Sequence, residues 1–160
     1  MTVSPVFVKS CYSFAVLFAL AACDTRESTV HGDTSSAAAV STSLNAITEN
    51  GSFTLTLQPL QDASNTPAAR IPVGKMHRWR LALVDSQGAA AYPARIIVGG
   101  GMPAHQHGLP TQPQVVEHLG DGRYIIDGVR FNMDGDWVFR ITIATEHAAD
   151  RVEVPFNVQF

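Results

Sequence analysis

The sequence predicts an all-β fold: an antiparallel immunoglobulin-like β-sandwich of about seven strands, preceded by a signal peptide and a disordered tether. Three observations predict it. Apolar and polar residues alternate with period two in short runs, as in Phe53-Thr54-Leu55-Thr56-Leu57, the pattern of a half-buried strand. Gly, Asp and Pro clusters punctuate the chain between those runs. No segment of the C-terminal two thirds repeats its apolar residues at helical spacing, so sheet packing on sheet is the architecture expected, with an eight-stranded barrel as the alternative.

The chain has 160 residues and 46% hydrophobic content, enough for one domain with a sizeable core. Residues 1–22 read as a lipoprotein signal peptide. Lys9 precedes an apolar run from Tyr12 to Ala22, too short for a bilayer core that needs about 20 apolar residues. Leu20-Ala21-Ala22-Cys23 resembles a bacterial lipobox, so the mature chain is expected to begin at an acylated Cys23 and to be held to the membrane by that lipid. Asp24 resembles an inner-membrane retention signal, which favours the periplasmic face of that membrane. Processing removes Cys11 and acylates Cys23, leaving no thiol for a disulfide, a nucleophile or a metal. The domain must therefore hold together by packing alone.

Residues 23–51 form the lipidated cysteine and its tether. The stretch is rich in Ser, Thr and Ala and has too few large apolar residues to order itself, so His31 is read as a solvated tether residue. The net charge is -3, with no run of Lys or Arg, which excludes a nucleic-acid surface and a polybasic membrane patch.

The folded domain is expected over residues 52–160. Its first strand begins at Phe53 and ends at Pro59. A second runs from Lys75 to Asp85, before the Ser86-Gln87-Gly88 turn. A short third, Ala94 to Val98, stops at Gly99-Gly100-Gly101. Gln114 to Leu119 is a weak strand, and Gly120-Asp121-Gly122 turns into Arg123 to Phe131. Met133-Asp134-Gly135-Asp136 makes the next turn, read as part of a hairpin, into Trp137 to Ile143. Val152 to Phe160 closes the domain.

The chemistry concentrates in Gly99 to Thr111. This loop carries Met102, His105 and His107, and the other two methionines of the mature chain, Met76 and Met133, stand beside His77 and in the turn before Trp137. Thioether and imidazole suit copper, as Cu(I), in a compartment where thiolates are scarce. Met102, His105 and His107, completed by Met133, would supply three or four ligands. If His105 to His107 is extended, both rings project to one side and Gln106 points away. Three glycines permit positive φ and close backbone approach. Zinc fits less well, because no carboxylate lies between Gly99 and Thr111. The competing reading of these residues is a rigid surface loop whose histidines hydrogen-bond the backbone, with Met102 and Met133 filling gaps in the core. His77, two residues before Trp79, is either a fifth ligand or a packed core histidine; His118 and His147 read as ordinary exposed positions. No nucleophile and base pair stands out, so the site is not read as catalytic.

Met76-His77-Arg78-Trp79, Gly100-Gly101-Met102-Pro103-Ala104-His105-Gln106-His107-Gly108-Leu109-Pro110-Thr111, Gly120-Asp121-Gly122-Arg123-Tyr124 and Phe131-Asn132-Met133-Asp134-Gly135-Asp136-Trp137 together resemble the YtkA-like domain over roughly residues 74–143. The resemblance implies an immunoglobulin-like envelope domain associated with copper handling and oxidase assembly. By position it implies Met102, His105, His107 and Met133 as ligands, with His77 in the family's His-x-Trp pair. Relatives often carry Gly where this chain has Gln106. Two functions follow: copper delivery or sequestration with a membrane oxidase as the partner, or a metal-free interaction module in which the Gly-Met-Pro loop and Trp137 present a surface to a membrane transporter or oxidase.

Overall fold

The computed structural model describes residues 42–61 and 66–159; the stretch read as a signal peptide, Cys23 and the stretch read as a tether as far as residue 41 lie outside them. Nine strands follow one another: β1 (Leu44–Ile47), β2 (Phe53–Pro59), β3 (His77–Asp85), β4 (Arg95–Met102), β5 (His107–Gly108), β6 (Gln114–Gly120), β7 (Arg123–Val129), β8 (Gly135–Ala144) and β9 (Ala149–Val158). They form two antiparallel sheets in the orders β1-β2-β3-β7-β6 and β5-β4-β8-β9. The all-β sandwich expected from the sequence is the fold.

Period two explains how the sheets pack. Inward residues of β3 (Trp79, Leu81, Leu83), of β8 (Trp137, Phe139, Ile141, Ile143) and of β9 (Val152, Val154, Phe156, Val158) are buried and belong to one cluster that draws on both sheets. Phe131 stands where the chain passes between the sheets and packs against the rings of Trp137, Phe139 and Phe156. These four rings and those of Trp79 and His77 meet at 4.8–6.1 Å, mostly tilted or edge to face, a geometry that adds to the burial itself.

Four details differ from the sequence-based expectations. A strand, β1, lies at Leu44–Ile47 inside the stretch read as tether, so the folded domain starts ahead of Ser52. Its side chains alternate between half-buried and exposed, and β2 supplies its hydrogen bonds, with Thr56 Oγ1 donating to Asn45 Oδ1 at 2.7 Å. β4 does not stop at Val98 but runs through the three glycines to Met102, pairing with β8. β5 adds a two-residue edge strand opposite Met102 and Gly101. Finally, β7 and β8 belong to different sheets, so Asn132 to Asp134 is a crossover between sheets rather than a hairpin turn.

One polar clamp fixes the start of the domain. Asp150, 6% exposed, accepts from the backbone N–H groups of Asn50, Ser52 and Arg151 and from Asn50 Nδ2 at 2.8–3.3 Å. Burial by itself would raise its pKa, but the hydrogen bonds of Thr48 and of the Arg151, Ser52 and Asn50 backbone outweigh it and hold the carboxyl well below the usual carboxylate range.

Candidate metal centre

The Met-Pro-x-His-x-His segment lies at one end of the sandwich, where β4 turns back into β5. Pro103–His105 forms a single 3₁₀ turn, with the Gln106 N–H donating to the Pro103 carbonyl oxygen at 3.2 Å. Gln106 then takes φ 53°, the left-handed region, and His107 resumes extended backbone in β5. The segment is thus not extended through His105, and the period-two expectation fails at Gln106. A left-handed residue reverses the chain more sharply than a strand can, and that reversal is what lets β5 pair back on β4. Gly99, Gly100 and Gly101 all lack positive φ. Two of them answer instead to close approach: a Cβ on Gly100 would strike the Val138 carbonyl oxygen, and one on Gly101 the His107 carbonyl oxygen.

Pairing of Met102 with His107 puts these two side chains on the same face of the β4–β5 ladder. Met102 is 3% exposed, and its methyl lies over Gly135, 2.9 Å from where a Cβ would stand there. His107 is half-buried, and His105 is exposed. The two rings lie 6.0 Å apart between centroids. An ion stands roughly 2 Å from an imidazole nitrogen, so two rings sharing one have centres at most roughly 6.3 Å apart, and the observed spacing lies just inside that limit. A hollow of about 250 Å3, lined by Met102, Pro103, Gln106, His107, Gly108 and Arg140, opens beside His107.

The imidazole of His107 is committed at one nitrogen and free at the other. Its Nδ1 lies 2.9 Å from the Gly108 carbonyl oxygen, which can only accept, so the proton belongs on Nδ1. That leaves Nε2 as a lone pair, buried and without a hydrogen-bond partner. A backbone carbonyl holding the far N–H of a ring is the arrangement that orients imidazoles toward metals. Met133 is half-buried against the core, and its carbonyl oxygen accepts from Trp137 Nε1 at 3.2 Å; the Trp137 ring meets that of His107 edge to face at 5.6 Å. The Met133 segment therefore stands next to the loop. Among the described residues, no three or more of His, Cys, Asp and Glu are grouped to hold an ion, so a site here would need its thioethers.

His77 stands apart from the loop. It is 6% exposed, and its ring contacts are Phe131 at 5.4 Å and Trp79 at 6.1 Å, while Phe131 and Trp137 form the chain of rings that leads on to His107. Its Nδ1 donates to the Lys75 carbonyl oxygen at 3.2 Å, and its Nε2 has no partner. Burial pushes its pKa below 6.5, with the Lys75 carbonyl opposing more weakly.

The sign of the pH dependence follows. The unfolded imidazole takes up a proton below its ordinary value of 6.5 while the folded one stays neutral, so stability falls as pH drops from there. Asp150 adds a second loss below the unfolded value of 3.8, continuing toward its depressed folded value. Thermal melts against pH are expected to show both declines. His77→Phe should flatten the upper one and Asp150→Asn the lower; a wild-type melting temperature that holds constant between pH 6.5 and 4.5, to take roughly the midrange, would contradict the His77 assignment.

No family model, curated protein or solved structure matches the chain. What the sequence missed at this end is Trp137. Expected as part of an interaction surface with the Gly-Met-Pro loop, it is instead 1% exposed and in the core, and the clue to its role was the spacing: an indole four residues after a methionine, with a glycine between, can return its N–H to the turn.

Proposed function

We propose that this chain is a lipid-anchored periplasmic protein whose domain binds one Cu(I) ion through His105, His107 and one or both of Met102 and Met133, for delivery or sequestration. The observation that carries the reading is the buried, unpartnered Nε2 lone pair of His107, whose other nitrogen is held by Gly108 and whose cross-strand neighbour is a buried thioether. An unpaired polar atom costs stability, and a soft cation is the partner that imidazole and thioether share. Copper would supply only binding here. The chain's own residues orient the ring, through Gly108, and limit access of water, through the burial of Met102 and Trp137. The exposed His105 provides the ligand that can reach and release an ion at the surface. His77 takes no part, being walled off by aromatic rings.

The resemblance of the loop to YtkA-like domains supports the same reading, and with it a membrane oxidase as the recipient. Anchoring rests on Cys23, and the inner membrane on Asp24.

A competition titration against a Cu(I) chelator tests the site. His105→Ala with His107→Ala is expected to weaken binding by about 100-fold or more, while leaving the fold intact. Wild-type affinity in that double variant would sink the site. A membrane pull-down whose partners are indifferent to chelator and to both histidines would favour the metal-free interaction module instead.

A further inference from the structure

The candidate site is assembled from two segments far apart in the fold's connectivity, and one side chain touches both. Trp137 is 1% exposed. Its Nε1–H donates to the Met133 carbonyl oxygen at 3.2 Å, and its ring edge meets the His107 ring at 5.6 Å. Phe131 packs on the same indole at 5.0 Å, so the ring is confined from the core side. Met102 lies over Gly135, the first residue of β8, where the Met133 crossover ends.

Filling the core does not by itself call for an indole here. The neighbouring rings Phe131, Phe139 and Phe156 are all phenylalanines, while Trp79, whose N–H has no hydrogen-bond partner among the described residues, is the buried indole that only fills space. What distinguishes Trp137 from a phenylalanine is the N–H, and that N–H is spent on the crossover that carries Met133.

Building on the copper reading, we propose that Trp137 is the positioning residue of the site: its N–H holds the Met133 segment beside His107, so that the thioether of Met133 can join the loop's ligands. Trp137 does not touch the ion. It acts through Met133, and its removal has the consequence of removing Met133 from the ligand set.

A double-mutant cycle on Cu(I) affinity reads this directly, using the full mature chain with Cys23→Ser to keep it in solution. Met133→Ala and Trp137→Phe are each expected to weaken Cu(I) binding about tenfold, the range found when a group that orients a ligand is lost. The two together should be no weaker than either alone. Trp79→Phe, which changes the other buried indole, should leave affinity unchanged. Should Trp137→Phe unfold the domain, the N–H alone can be deleted: a benzothienyl analogue of tryptophan replaces it with sulfur at constant shape, and in a Trp79→Phe background enters only at position 137.

Multiplication of the two losses to about 100-fold, or an unchanged affinity in the analogue protein, overturns the positioning role. If either result accompanies loss of binding in the His105→Ala, His107→Ala variant, the copper site stands and only the role of Trp137 falls. A wild-type chain that binds no Cu(I) overturns both.

Discussion

Gly101→Ala is expected to destabilise the domain by about 3 kcal/mol, at the upper end of what overpacking costs, because the added methyl meets backbone rather than a side chain that can move aside. A Cβ at this position strikes the carbonyl oxygen of His107 and comes within 2.9 Å of the Gly108 Cα. Neither can yield without separating β5 from β4, and β5 is only two residues long. The strand pair that sets Met102 against His107 would open. Thermal unfolding should show a fall of roughly 10 °C for a domain of this size, and Cu(I) affinity should fall with it. Gly99→Ala is the contrast. Its Cβ would meet only the Arg140 carbonyl oxygen, at 3.9 Å, an ordinary contact, and its effect should stay within about 0.5 kcal/mol. Equal melting temperatures for the two variants would show that close approach is not what the glycine at 101 provides.

The same two glycines mark where the sequence was legible and where it was not. β2, β3, β8 and β9 could be read because each alternates long enough to bury several large side chains on one face, as Trp79, Leu81 and Leu83 do. β1 could not. It has four residues in a stretch of Ser, Thr and Ala, and it exists because the β2 edge offers it partners. Glycines ordinarily weaken strands, so Gly99-Gly100-Gly101 read as a loop; only the backbones of Val138 and His107, brought close by pairing, explain why glycine is what the strand needs there. At the site, the residue types were visible and their arrangement was not. Gln106 carries no signal that it will turn left-handed, and the proximity of Met133 depends on a crossover that local pattern does not encode.

Phe131→Ala should be among the most damaging single substitutions in the core. Phe131 is fully buried, and its ring stands within 5.0–5.9 Å of those of His77, Trp137, Phe139 and Phe156. Truncation of a buried phenylalanine costs about 3–5 kcal/mol, from lost burial and the cavity left behind. That is a large part of the stability of a single domain. The position lends the loss a direction. Phe131 separates His77 from Trp137, so the cavity would open beside the ring that carries Met133 and touches His107. Denaturant melts should lose about 3–5 kcal/mol, and the near-ultraviolet circular dichroism of the two tryptophans should change while the β-sheet signal persists at low denaturant. Phe131→Leu, which keeps most of the volume, should recover much of the loss. If the leucine variant were as damaged as the alanine variant, aromatic contact with the four rings, rather than the filling of space, would be what holds this end of the sandwich together.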